Sequence, residues 1–272
     1  MSFAKTRSEN EEGVREYMDR RREDLLKGFV KDVNDFIDLL ERTGTIISGS
    51  SALHLFQAKS AAIALRDMDI YGTHEFEEEV LKHFKEKEGY EVTLISERKT
   101  EYSSTIKKVY KMQKEMQKVD LIITEWASAI VPILQYHSTA VMNYMTARTF
   151  VSLYPKWTND MKSLVNPRMY LGDTANIRTV TALMKYVRHG FRVTAEPFQL
   201  GIHDCLRSAY CPSTTRNTLD DNTLRWEFSK VKTVGNTTVA CSDMAIVIWR
   251  LGGDDCEEDG NNDSATYIGV AA

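Results

Sequence analysis

The chain has 272 residues, a formal net charge of −4 and an ordinary 42% hydrophobic content, enough for one large domain or two modest ones with a sizeable core. A mildly acidic balance argues against a protein that grips duplex nucleic acid through a broad basic surface, while leaving room for a local groove. No apolar run approaches the ~20 residues of a membrane span, and the start, Met1-Ser2-Phe3-Ala4-Lys5-Thr6-Arg7-Ser8, lacks the apolar core of a signal peptide. The expected location is the cytoplasm, with the nucleus open as well.

Residues 11–42 read as one long amphipathic helix, or two in series, with Leu25, Phe29, Val33, Phe36, Ile37 and Leu40 at helical spacing and facing a sheet. Thr43-Gly44 ends it. Thr45-Ile46-Ile47-Ser48 is a short buried strand that delivers a Gly49-Ser50 turn, and Ser51-Ala52-Leu53-His54-Leu55-Phe56 is helical. Backbone N–H groups near Ser50 and Ser51 then sit at a helix N-terminus, an end that favours phosphate.

Asp67-Met68-Asp69-Ile70 opens the next strand, where alternation turns Asp67 and Asp69 to one face and Met68 and Ile70 into the core. A charged helix over 75–87 closes at Gly89, and residues 90–97 and 105–112 form two antiparallel strands. Lys118 to Thr124 is the central strand that carries Asp120. If Asp120 lies on a neighbouring strand, the three carboxylates make a hard, oxygen-rich site for Mg²⁺ or Mn²⁺ with a bound triphosphate. The alternative is that the aspartates merely end strands and face water, and that Gly49-Ser50 is an ordinary capped turn.

From Ile130 onward helices are expected at 136–146 and 168–189, the latter with Ile177, Val180, Leu183, Met184 and Val187 on one face and Gly190 at its end. Residues 211–219 read as a loop, 245–249 as a strand, and 252–272 as an acidic, disordered or loosely docked tail. Cys205, Cys211, Cys241 and Cys256 show no Cys-x-x-Cys spacing and are expected as reduced thiols. His137, beside Ser138 and Asn143, is a candidate substrate contact or a hydrogen-bonded helix-start residue. Tyr154, with Lys156 and Trp157, offers a base-stacking surface or a core aromatic. Lys185 and Arg188 reach a triphosphate or lie in solvent. The basic stretch Arg98, Lys99, Lys107, Lys108, Lys111, Lys114 and Lys118 steers phosphate or is a solvated hairpin. No P-loop and no Gly-x-Ser-x-Gly elbow occurs.

Gly-Ser, then Asp-x-Asp, then a distant strand-borne Asp resembles the DNA polymerase beta-like nucleotidyltransferase superfamily over 45–124, and residues 137–143 with Ser152-Leu153-Tyr154-Pro155 look like its uncharacterised fungal relatives. One departure is the sixteen-residue spacer from Ser51 to Arg66, longer than usual, which an insertion at 58–64 accommodates. The resemblance implies an α/β (α+β) fold: a nucleotidyltransferase-type mixed sheet flanked by helices, followed by a mainly helical second domain. The implied layout is a helical segment at 1–42, a catalytic domain at 43–128, a helical domain at 129–251 and the tail at 252–272.

The resemblance also implies an enzyme that moves an NMP from an NTP, ATP among the candidates, to an acceptor hydroxyl and releases pyrophosphate. Asp67, Asp69 and Asp120 would be catalytic and hold two Mg²⁺ or Mn²⁺ ions. Gly49, Ser50, Ser51, His137, Tyr154 and Lys185 would bind the nucleotide. The acceptor is left open between an RNA 3′ end, a small molecule, a nucleotide and a protein, since fold alone does not choose. Two other readings compete: an inactive nucleotidyltransferase-fold binding module, and an Asp-x-Asp sugar-nucleotide glycosyltransferase.

Overall fold

The structure, a computed structural model, describes residues 2–59, 62–97, 105–170, 177–229, 245–253 and 267–271. Arg98, Lys99, Cys241, Cys256 and residues 254–266 of the acidic tail lie outside the described residues.

The N-terminal segment is two helices, α1 (Ser2–Lys27) and α2 (Val33–Thr43). The break falls where the Asp32 side chain accepts hydrogen bonds from Asn34 and Asp35 N–H and starts the second helix. Strand β1 (Ile46–Ser48) runs directly into α3 (Gly49–Phe56), and β2 (Met68–Thr73) follows the long spacer. Next come α4 (Glu77–Lys82), prolonged by a π-helical turn at His83–Glu88, then β3 (Glu91–Glu97), β4 (Ile106–Lys114) and β5 (Gln117–Thr124). All three strands expected between residues 90 and 124 are present.

Beyond residue 129 the chain departs from expectation. Residues 136–146 form not a helix but a 3-10 turn, Thr139–Val141, and a strand, β6 (Asn143–Met145), that pairs with β7 (Thr149–Ser152). A short helix α5 (Pro155–Asn159) and β8 (Lys162–Leu164) precede α6 (Ile177–Arg188) and β9 (Arg192–Thr194). Strands β10 (Arg216–Asn217), β11 (Leu224–Glu227), β12 (Ile246–Arg250) and β13 (Tyr267–Ala271) complete the chain. Among its described residues this half is thus rich in short strands rather than mainly helical. The end of the tail is a paired strand, since β13 runs antiparallel to β12 over its whole length.

The main sheet has eight strands in the order β11-β7-β6-β1-β2-β5-β4-β3, mixed because β2 and β5 are parallel and the other neighbours antiparallel. Helices flank it. One face carries Ile47, Met68, Ile70, Val119, Leu121 and Ile123 against Leu26, Phe36, Leu40, Val80 and Phe84 of the N-terminal helices and α4. The opposite face places Ile46, Tyr71, Ile122, Tyr144 and Val151 in a second core with Leu153, Tyr154 and Trp249. The period of two along β2 and β5 decides which residues enter which core. Helix α6 begins later than the expected 168, and of its expected apolar face Ile177, Val180, Met184 and Val187 are exposed, while Tyr186 is the helix's buried residue. The Tyr186 ring joins Leu53, Val141 and Phe191.

Candidate active site

Parallel pairing sets Asp69 of β2 directly beside Asp120 of β5. Each is flanked along its strand by residues of the first core, so both carboxylates emerge on the second face, with Tyr71 and Ile122. Like charges directly opposite in a sheet are unfavourable by themselves. Asp67 stands just before β2, and its carbonyl accepts a hydrogen bond from Ser51 Oγ at 3.3 Å, which ties the approach to β2 onto α3.

Across β2 on its other side, Ser48 of β1 is the partner of Asp69. The next residue, Gly49, has φ +64°, a left-handed conformation that favours glycine, and a methyl there would overlap Asp69 Oδ2 and come within 3.2 Å of Tyr136 OH. The turn therefore needs glycine twice over, for its backbone and for the carboxylate laid against it. Ser48 sits at the cap of α3 but donates its hydroxyl to the Asn143 carbonyl at 2.6 Å and makes no side-chain cap. The first-turn amides of α3 thus lack the side-chain acceptor that such a helix usually has. Ser50 and Ser51 follow, both buried.

Burial, then the charges of Asp67 and Asp120, push the Asp69 carboxyl up to about 7, against the opposing pull of Lys185. Burial also raises Asp120; Lys111 opposes it, Asp67 adds to it, and Lys118 opposes it again. Lys111 is the cross-strand partner of Asp120 on β4. The basic stretch therefore divides: Lys111 and Lys118 act on Asp120, Lys108 pairs with Glu77 at 2.8 Å, and Lys114 lies over the Tyr90 ring. Burial and Lys185 lower His137 to about 4, leaving a neutral imidazole that sits 3.0 Å from Ser138 Oγ and 5.4 Å from the Tyr186 ring. Lys185, though on an exposed turn of α6, thus acts on both Asp69 and His137.

Three tyrosines complete the surroundings and were not anticipated. Tyr71 and Tyr136 share a hydrogen bond of 2.6 Å between their hydroxyls. Burial is the largest reason that Tyr71, Tyr136 and Tyr186 are all harder to ionise, and Asp69 adds to each. Tyr71 was findable, because it lies two residues beyond Asp69 on one strand. Tyr136 and Tyr186 come from distant segments, and no local pattern marks them.

Tyr154 is not among these residues. It is 2% exposed in the second core, stacks on Trp157 at 5.7 Å, and its hydroxyl accepts from Trp249 Nε1 at 3.0 Å, which is the core-aromatic alternative. Nor do the three carboxylates form a closed cage. The one group of three possible ligands among the described residues whose atoms all lie within 4.8 Å of one another is His203, Cys205 and Cys211. The aspartates remain a donor set of the right chemistry for a hard divalent cation, with a mutual repulsion that a cation would relieve. A groove of about 520 Å³ beside α1, lined by Arg21, Phe29, Lys59 and Arg66 among others, contains none of them.

No protein-family model matches this sequence, and no curated protein does. Among solved structures, the chain is similar to a CCA-adding enzyme in complex with CTP, at 13% identity and a TM-score of 0.39, over 65% of this chain and 42% of that one. The chain thus spans less than half the length of that structure.

Proposed function

We propose that the chain is a metal-dependent nucleotidyltransferase of the polymerase beta-like type, moving an NMP from an NTP to an acceptor hydroxyl. The observation that carries this reading is the register of Asp69 beside Asp120 with the Gly49 turn laid against the Asp69 carboxylate. Asp67, Asp69 and Asp120 would hold one or two Mg²⁺ or Mn²⁺ ions, which when bound neutralise charge on the phosphates and on the attacking oxygen. The uncapped first-turn amides of α3 suit a phosphate at Gly49, Ser50 and Ser51. Lys185 adds a positive charge on the same side as Asp69.

In the reaction the acceptor oxygen attacks the α-phosphorus in line and forms the new O–P bond. The bond to the bridging oxygen breaks, and pyrophosphate leaves with its electron pair. Asp120, whose proton affinity burial has raised, takes the proton of the acceptor hydroxyl. Most of the acceleration comes from placement and charge neutralisation, since the protein makes no covalent bond itself.

A second reading is favoured by one observation: the carboxylates are not gathered into a closed site. On that reading the chain binds a nucleotide and does not turn it over. Titrating the purified protein with each NTP in Mg²⁺ or Mn²⁺, with calorimetry and pyrophosphate release read on the same samples, separates the two. Metal-dependent binding with release, both lost in Asp67→Ala, supports the enzyme. Binding without release supports the module, and no binding under either metal removes both.

A further inference from the structure

We propose that His203, Cys205 and Cys211 form a zinc site that staples the irregular segment between Gly201 and β10. Their ligand atoms all lie within 4.8 Å of one another. The two sulfurs are 3.9 Å apart. A disulfide needs about 2.05 Å, whereas two thiolates at about 2.3 Å from one tetrahedral zinc stand about 3.8 Å apart. Two soft thiolates and an imidazole select zinc over magnesium or calcium, so this is a different chemistry from that of the aspartates.

The backbone around the sulfurs is shaped for this. Leu206 N–H donates to Cys211 Sγ at 3.4 Å, the type of contact that suits a sulfur carrying negative charge. To make it, Leu206 adopts φ +63°, an uncommon conformation for a residue with a side chain, which persists only where its surroundings enforce it. Asp204 N–H donates to Ser208 Oγ at 2.8 Å, Ser208 N–H to the Asp204 carbonyl at 2.7 Å, and Cys211 N–H to the Ser208 carbonyl at 2.9 Å. That knot of turns brings together two cysteines whose spacing is not that of a Cys-x-x-Cys finger.

The consequence is mechanical. The segment contains no helix or strand of its own, yet it presents Tyr210 to Tyr154, Trp157 and Arg216 in the second core. It also lines, through His203, Ser208 and Tyr210, a cleft of about 220 Å³ that Lys156 and Trp157 close on the other side. A metal at its base would hold both the Tyr210 contact and the shape of the cleft. Three protein ligands leave a fourth position for water or another donor.

The test is made on the full chain, reduced and freed of metal, by adding Co²⁺ and then Zn²⁺ in a large excess of Mg²⁺. The expected result is thiolate-to-cobalt charge-transfer absorption that saturates at one equivalent and is displaced by zinc. It should be lost in Cys205→Ser and Cys211→Ser, weakened in His203→Asn, and retained in Asp67→Ala. Far-UV circular dichroism checks that each variant is folded. Wild-type protein that is folded and reduced and yet gives no charge-transfer absorption would overturn the site. So would absorption that survives both serine substitutions, because the sulfurs would then be others.

Discussion

Asp69 is the residue on which the site's physics concentrates. Its carboxyl is held near 7 against about 4 in an unfolded chain. Between those values the folded protein keeps a proton that the unfolded chain has lost, so stability falls as pH rises through that window and the loss is complete above it. Asp69→Asn removes the ionisation without removing the shape. It should raise the metal-free melting temperature by a few degrees at pH 8 and change it little near pH 4, while abolishing the stabilisation that Mg²⁺ gives the wild type at pH 8. A lower melting temperature at pH 8 would show that the fold does not strain against this charge. Gly49 makes the complementary case. Gly49→Ala carries both a left-handed backbone and an overlap with Asp69, and should cost about 1–3 kcal/mol. In an Asp69→Ala background part of that cost disappears, because the overlap with the carboxylate is gone and the backbone strain and the close approach to Tyr136 OH are left. Denaturant melts of the four proteins give the coupling, expected at about 0.5–3 kcal/mol, and strict additivity would mean that the turn and the carboxylate do not touch.

At the scale of elements, what was legible in the sequence is what regular periods encode. The strand, Gly-Ser turn, helix and Asp-x-Asp strand at 45–70, the hairpin strands and the strand of Asp120 all follow from alternation and punctuation, and they are where expected. β6 and β7 were not, since three and four residues, all buried, show no period at all. Helix α6 lies inside its expected span with its apolar face exposed, because amphipathic spacing tells which residues share a face and not whether anything covers that face. The site divides the same way: the aspartates and Gly49 lie in local motifs, while Tyr136, Tyr186 and the pull of Lys185 on Asp69 depend on contacts between distant segments. Periodicity over 11–42 allows one helix or two in series, and the Asp32 cap at the start of α2 makes it two. Replacing that aspartate by alanine leaves two first-turn amides without their acceptor and should cost about 1 kcal/mol, read as a fall in the denaturation midpoint at an unchanged slope. A midpoint within error of the wild type would mean that water caps α2 equally well.

For the whole molecule the question is whether the halves on either side of residue 129 fold as separate units. The helical reading beyond Ile130 and the resemblance imply a boundary there, yet β6, β7 and β11 from the second half extend the same sheet as β1, β2 and β5. The sheet joins the two cores through its own plane, with Ile46 in one and Ile47 in the other, so neither can melt without exposing residues of the other. The side-chain ties across the junction point the same way: Arg148 pairs with the buried Glu41 of α2, and the Arg22 guanidinium donates to the Ala147 carbonyl at 3.1 Å and lies 4.2 Å from the Phe228 ring. The chain supplies its own probes for this. All four tryptophans, Trp126, Trp157, Trp226 and Trp249, lie in or just before the second half, so tryptophan fluorescence reports on that half, whereas α1, α2 and α4 dominate the helical circular dichroism of the first. In urea the two signals should trace one curve with a common midpoint and slope. Separated midpoints would divide the sheet at β1 and β6 and restore two independent domains. In that case the aspartates would belong to a unit able to fold alone, and the second half would act on them only by docking.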